Sequence, residues 1–259
     1  MSGTRRAGDE SGEPEQVLPG GFVTTVVRVG DTVRRATPAN ADFVRDLLGH
    51  LQARGWSGAP RDLGLDERGR QILTFIEGHV AWAPAQPASI GSDQCLAAVA
   101  RLVRQFHDLT AGTAITDGQE VVCHNDLSPK NTVYRDLGEG FRPVAFIDWD
   151  IAAPGPRMHD VAHVCWQYLG LGRQLCDATE AARLVRLIAD EYGLADRDGL
   201  VEAILWWQDR CWRGIEAAAH AGEPAMVRLE ALGVVSEVQA DFQWTARHRA
   251  VLERAVNRR

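Results

Sequence analysis

The period of the apolar residues changes once along this chain, and that change limits the folds open to it. Before residue 78 the signals are those of strands. Thr24-Thr25-Val26-Val27-Arg28-Val29 is β-branched, Gly30-Asp31 is a turn pair, and Thr32-Val33-Arg34-Arg35 resumes the strand. Thr37-Pro38 predicts a helix start, a capping hydroxyl followed by proline at the first helical position. Phe43, Val44, Leu47, Leu48 and Leu51 give that helix one apolar stripe, and Gly55 ends it. Two further strands are expected near Arg61–Leu65 and Gln71–Ile76, joined by the turn Asp66-Glu67-Arg68-Gly69. After an Ala/Pro-rich stretch at Ala81–Ser89 the pattern is helical, over Leu96–Leu109 and over most of Met158 to the end. Only Val121–Ile151 interrupts it, as a loop (His124–Asn131) and a hairpin ending in Val144–Ile147. The expectation is an α+β chain of two lobes. Residues 1–15 form a disordered tail, 16–78 a small β-rich lobe with one helix, and 79–259 a mainly helical lobe. A cleft between two lobes is a common place for a ligand.

Composition removes several classes of function. With 45% hydrophobic and 24% charged residues, the 259-residue chain has the balance of a globular protein. Its net charge of −7 offers no basic footprint, so no nucleic-acid partner is expected. The longest apolar runs, such as Ala203–Trp207, are too short to cross a bilayer, so no membrane is expected either. The five cysteines (Cys95, Cys123, Cys165, Cys176 and Cys211) show no C-x-x-C spacing and are expected to be small buried hydrophobes. Residues 1–16 lack an apolar signal core, and the cytoplasm is the expected compartment. Among 28 basic residues the only lysine is Lys130, so a mechanism that needs a lysine has one candidate.

The chemistry-bearing residues concentrate in His124-Asn125-Asp126-Leu127-Ser128-Pro129-Lys130-Asn131 and in Phe146-Ile147-Asp148-Trp149-Asp150. An apolar strand delivers Asp148 to a loop with no obvious cation beside it. Hard oxygen ligands with open positions suit Mg²⁺ carrying phosphate. Asp126 precedes Asn131 by five residues across a turn, which leaves one group to take a proton and the other to hold metal. This is the H-x-D-x-x-x-x-N spacing, followed by an Asp on the next hairpin, of phosphoryl transfer in kinase folds. Asp150 reads as an exposed turn carboxylate, and Lys130 as solvated or facing an acceptor.

These segments resemble the aminoglycoside phosphotransferase and choline kinase-like family, small-molecule relatives of protein kinases. The resemblance extends over most of the chain: Gly20-Gly21 with its hairpin is similar to the nucleotide-covering loop, Phe75-Ile76-Glu77-Gly78 to the hinge, and Asp160-Val161-Ala162 to the family's D-x-A helix start. It implies Asp126 as the base that orients and deprotonates an acceptor hydroxyl. It implies Asn131 and Asp148 as Mg²⁺ ligands, ATP or GTP as donor, a small-molecule hydroxyl acceptor (an antibiotic among the candidates), and His124 and Asp160 as supports of the loop. Two departures stand out. The third strand carries no lysine, so Arg35, or else Arg34, must meet the phosphates; Arg35 shares a face with Val33. The following helix has no Glu, leaving Asp42, Asp46 or His50 as the partner. Two other functions are compatible with the sequence. His107-Asp108, His159-Asp160 and the i, i+4 pair His159/His163 could build a metal-dependent phosphohydrolase, and the two departures could mark a nucleotide-binding module without turnover.

Overall fold

A computed structural model of the protein describes residues 14–19, 25–83 and 85–257. The expected tail therefore lies almost wholly outside the described residues, as does the Gly20-Gly21 pair.

The first lobe is a five-stranded antiparallel sheet in the order β1-β2-β3-β5-β4, formed by β1 (Gln16–Val17), β2 (Val27–Val29), β3 (Thr32–Arg35), β4 (Asp62–Leu65) and β5 (Gln71–Thr74). Helix α1 (Ala41–Ala53) buries Val44, Leu47, Leu48 and Leu51 in the same apolar core as Leu73 of β5. It starts later than Thr37-Pro38 predicts. The Thr37 hydroxyl donates to the Gly69 carbonyl across the β4–β5 turn (2.8 Å), four residues before the helix, and Asn40 takes the cap position with no side-chain cap bond. The Asp66 turn forms as its residue types require: Asp66 Oδ1 accepts from the backbone N–H of Arg68 (2.9 Å) and of Arg70 (2.8 Å).

The chain leaves this lobe through Phe75–Gly78. The Arg28 guanidinium lies 3.7 Å from the centroid of the Phe75 ring. Gly78 has φ +153°, and a Cβ there would fall 2.5 Å from Val133 Cγ1 and 2.6 Å from the Tyr134 carbonyl oxygen. Only glycine lets the crossing segment lie this close to the second lobe.

That second lobe begins with β6 (His79–Val80), which pairs with β8 (Thr132–Asp136) and, through it, β9 (Phe141–Phe146). A separate two-stranded ribbon joins β7 (Val121–Cys123) to β10 (Ala153–Gly155). Around them pack α2 (Asp93–Thr110), α3 (Arg157–Leu169), α4 (Ala178–Tyr192), α5 (Leu200–His220), α6 (Pro224–Ala231) and α7 (Val234–Val256). Ser92 caps α2, and Asp177 caps α4 by accepting from Thr179 and Glu180 N–H. Trp166 and Trp207 are buried, whereas Trp206 is exposed. Cys176 is also exposed, against expectation: its thiol sits past the end of α3 and donates to the Gly172 carbonyl (3.0 Å). None of the five cysteines is in a disulfide. No helix among the described residues is long and apolar enough to cross a membrane.

Candidate active site

Strand β7 is wholly buried, and it delivers His124 to the start of a loop that closes in the short 3₁₀ turn Pro129–Asn131. The loop is fixed from below by one side chain. Asp160, fully buried near the start of α3, accepts from His124 N–H (2.7 Å), Asn125 N–H (2.9 Å) and His107 Nε2 (3.0 Å). Burial opposes its ionisation, but the hydrogen bonds from His107 and from the His124 backbone N–H hold the carboxyl below its ordinary value. His107 passes the support outward, its Nδ1 lying 2.8 Å from the Tyr192 hydroxyl.

His124 braces the loop from the other side. Its Nε2 donates to the Ile147 carbonyl (3.1 Å), and its Nδ1 accepts from Asp126 N–H (3.3 Å). Burial pushes this imidazole down, so it serves as a neutral strut in the tautomer those two bonds require. A backbone bond from Ile147 N–H to the Asn131 carbonyl (2.9 Å) completes the tie between loop and hairpin.

Asn125 (φ +65°) and Asp148 (φ +66°) both hold left-handed backbone conformations, tolerated best by Asn and Asp among residues with a side chain. Between them is the side-chain constellation. Asn131 spends its amide N–H on Asp126 Oδ2 (2.7 Å) and the Asp126 carbonyl (2.9 Å), which leaves its Oδ1 as an acceptor. Burial pushes the Asp126 carboxyl up, Lys130 pulls it back, and the charge of Asp148 pushes it up again. Trp149, buried against His124 and Phe106, anchors the turn that carries Asp148 and Asp150. The Asp148 carboxylate and the Asn131 amide oxygen are a donor set that fits Mg²⁺, a hard cation that prefers oxygen ligands and keeps open positions for phosphate.

One expectation fails here. Asp148 does have a cation: Arg35 Nη1 lies 3.1 Å from Asp148 Oδ1, and Arg35 Nη2 pairs with Asp150. The partners are 113 and 115 residues apart in sequence, so nothing local could reveal the pairs. Asp150 is accordingly not a free turn carboxylate. Burial pushes its carboxyl up, Arg35 pulls it down, and Asp148 pushes it up again, leaving it at about 6. Arg34, on the opposite face of β3, is buried with its guanidinium on Thr32 Oγ1 of its own strand. The acids of α1 do not reach Arg35. Asp42 pairs with Arg45 at the surface, Asp46 is exposed, and His50 Nε2 bonds the Leu109 carbonyl (2.8 Å). Gln71, which sequence reading passed over, is the residue that contacts Arg35 Nε (3.1 Å). Its signal was its place opposite Arg35 in the β3–β5 register.

The histidines of the phosphohydrolase reading do not gather into an open metal site. His163 Nδ1 is bonded to the Leu127 carbonyl (2.8 Å), and His159 stacks on Trp206. His107, Cys123 and Asp160 do converge, but they are fully buried. Both His107 nitrogens are engaged, and burial pushes the Cys123 thiol, bonded to the Pro156 carbonyl, far up. A cavity of about 750 Å³ bounded by His159, Tyr192, Glu202 and Trp206 lies elsewhere, with no lining from Asp126, Asn131 or Asp148. Chemistry, rather than cavity size, marks the site.

Comparison with known proteins identifies the fold and the family. The model of the phosphotransferase enzyme family matches residues 111–200, which contain the loop, the hairpin and α3. The trifolitoxin immunity protein of Rhizobium leguminosarum bv. trifolii is 32% identical over 273 residues, covering 93% of this chain and 98% of its own. An aminoglycoside phosphotransferase from Streptomyces rimosus, solved with ADP and streptomycin, superposes with a TM-score of 0.58 at 17% identity, over 77% of this chain and 92% of that one. A choline kinase from Cryptosporidium parvum gives 0.58 at 11%, over 96% and 92%. These two likenesses show the two-lobed kinase-like fold. The chain belongs to the phosphotransferase enzyme family, whose members are small-molecule kinases.

Proposed function

We propose that the cleft between residues 16–78 and 79–259 transfers the γ-phosphoryl group of ATP or GTP to a hydroxyl of a toxic small molecule, as cytoplasmic self-protection. The name of the immunity-protein relative supports the protective role. The grouping of Asp126, Asn131 and Asp148, fixed by His124 and Asp160, carries the reading.

Asp126 is the group that accepts a hydrogen bond from the acceptor hydroxyl and takes its proton. The Asn131 amide holds this carboxylate in place from one side, leaving its other oxygen for the alcohol. Burial raises the affinity of Asp126 for that proton, which suits a base working near neutrality. Asn131 Oδ1 and Asp148 are the Mg²⁺ ligands. When bound, the metal supplies neutralisation of phosphate charge. Arg35 presents its guanidinium fork to the phosphates, exchanging its pairs with Asp148 and Asp150 for phosphate oxygens. Phe75 and Ile76 flank the nucleotide's purine.

The test is acceptor-dependent release of ADP or GDP over a panel of hydroxyl-bearing antibiotics and toxins that includes trifolitoxin. With an acceptor in hand, Asp126→Ala is expected to lower turnover by about 10²–10⁴. Retained turnover refutes the assignment. Nucleotide binding with no turnover on any acceptor favours the binding-module alternative.

A further inference from the structure

Resting on the nucleotide role given to Arg35 above, we propose that Gln71 and Asp62 form a positioning pair replacing the lysine and helix acid that this chain lacks. Gln71 is 2% exposed and stands directly opposite Arg35 in the β3–β5 register, so the sheet itself puts both side chains on one face. Gln71 Oε1 accepts from Arg35 Nε (3.1 Å), and Gln71 Nε2 donates to Asp62 Oδ2 (2.6 Å). The amide has only one workable orientation, because a guanidinium cannot accept and a carboxylate cannot donate. Asp62 is in turn held by Gly64 N–H at its other oxygen (2.8 Å), and its side chain is 6% exposed. A register irregularity between Asp62 and Leu65 on β4 lets Asp62 turn back toward Gln71.

The chemistry explains why both departures occur together. A lysine offers one point charge, and a carboxylate beside it serves to aim and neutralise it. An arginine has a side donor, Nε, separate from its two-nitrogen fork. Gln71 takes Nε and leaves the fork directed at Asp148 and Asp150, where phosphates arrive. A neutral amide suffices because those two carboxylates already surround the guanidinium. A third would repel phosphate. Asp42 and Asp46 of α1 are then free to stay at the surface, as observed.

The experiment is calorimetric titration of the full chain with ADP and with GDP, each with Mg²⁺. Wild type binds at least one, and Arg35→Ala weakens it. Gln71→Leu, which removes both bonds of the amide at similar volume, is expected to weaken binding about tenfold. In the Arg35→Ala background the same substitution is expected to add no loss, since it acts only through Arg35. Asp62→Asn, whose carbonyl can still accept from Gln71 while its amide gives up the bond from Gly64 N–H, is expected to recover part of the affinity lost in Asp62→Ala. Additive losses, or wild-type affinity in Gln71→Leu, overturn the proposal. If Gln71→Leu does not fold, the Asp62 variants decide, and equal affinity in Asp62→Ala, Asp62→Asn and wild type overturns it. A wild type that binds neither nucleotide overturns the underlying nucleotide reading as well, and is a different result from a binding wild type matched by Gln71→Leu.

Discussion

Replacing Asp160 should separate two costs that are easily confused, losing a carboxylate's charge and orphaning the donors around it. In Asp160→Ala three buried donors lose their acceptor: His124 N–H, Asn125 N–H and His107 Nε2–H. At about 1–3 kcal/mol for each unsatisfied donor the loss is about 3–9 kcal/mol, with the low end reached if water enters the space vacated. That is a large part of the roughly 5–15 kcal/mol that holds a domain folded. Asp160→Asn is milder. Its carbonyl still accepts one backbone N–H, and His107 can reverse its tautomer to accept from the new amide. One donor then remains unmatched, for about 1–3 kcal/mol. The assay is urea unfolding followed by tryptophan fluorescence, with Trp149 reporting from beside His124. Acceptor-dependent nucleotide turnover is measured on whatever remains folded. The loop directly before Asp126 is expected to be misaligned in both variants, so turnover falls by more than the folded fraction does. An Asp160→Ala protein destabilised by less than about 1 kcal/mol, or an Asn variant as impaired as Ala, would refute the reasoning.

Burial pushes the imidazoles of His107, His124 and His163 down, His163 to about 4. The folded chain therefore refuses protons that the unfolded chain takes up below its ordinary histidine value of 6.5. Stability is unaffected by these groups above that value and is lost as pH falls below it, by up to about 4 kcal/mol per pH unit for the three together. Urea midpoints at about pH 7 and about pH 5 check this, and equal midpoints contradict it. Gly49→Ala, in mid-helix with nothing within 4 Å of the new methyl, should stabilise by about 0.5–1 kcal/mol. Gly78→Ala, at φ +153° and against the Tyr134 carbonyl, should instead destabilise by about 1–3 kcal/mol or more. Thermal melts of the two variants moving in the same direction would count against this account of Gly78.

What could be seen in the sequence follows from how local each determinant is. The stripe of α1, the Asp66 turn and the helices after residue 157 depend on neighbours within a few positions, so periodicity and turn chemistry located them. The positions of Asp126, Asn131 and Asp148 along the chain were legible for the same reason. Their partners were not. Arg35 meets Asp148 across the cleft, and Gln71 meets Arg35 only because β3 lies beside β5 and not beside β4, the next strand along the chain. Thr37 looked like a cap, yet it stands four residues before the helix, and its hydroxyl donates to a turn 32 residues away. Asp160 could be placed by family likeness, but the three donors it satisfies and the His107–Tyr192 extension behind it emerge only from the packed helices.

The central claim is that Asp148 and Asn131 hold a metal that joins the nucleotide's phosphates to this chain. Its most direct test is the Mg²⁺ dependence of ADP and GDP binding in wild type and Asp148→Ala, which requires no knowledge of the acceptor. The account predicts that Mg²⁺ tightens binding in wild type and that Asp148→Ala abolishes the tightening. Nucleotide affinity indifferent to Mg²⁺ in wild type, or an equal Mg²⁺ effect in Asp148→Ala, would contradict it.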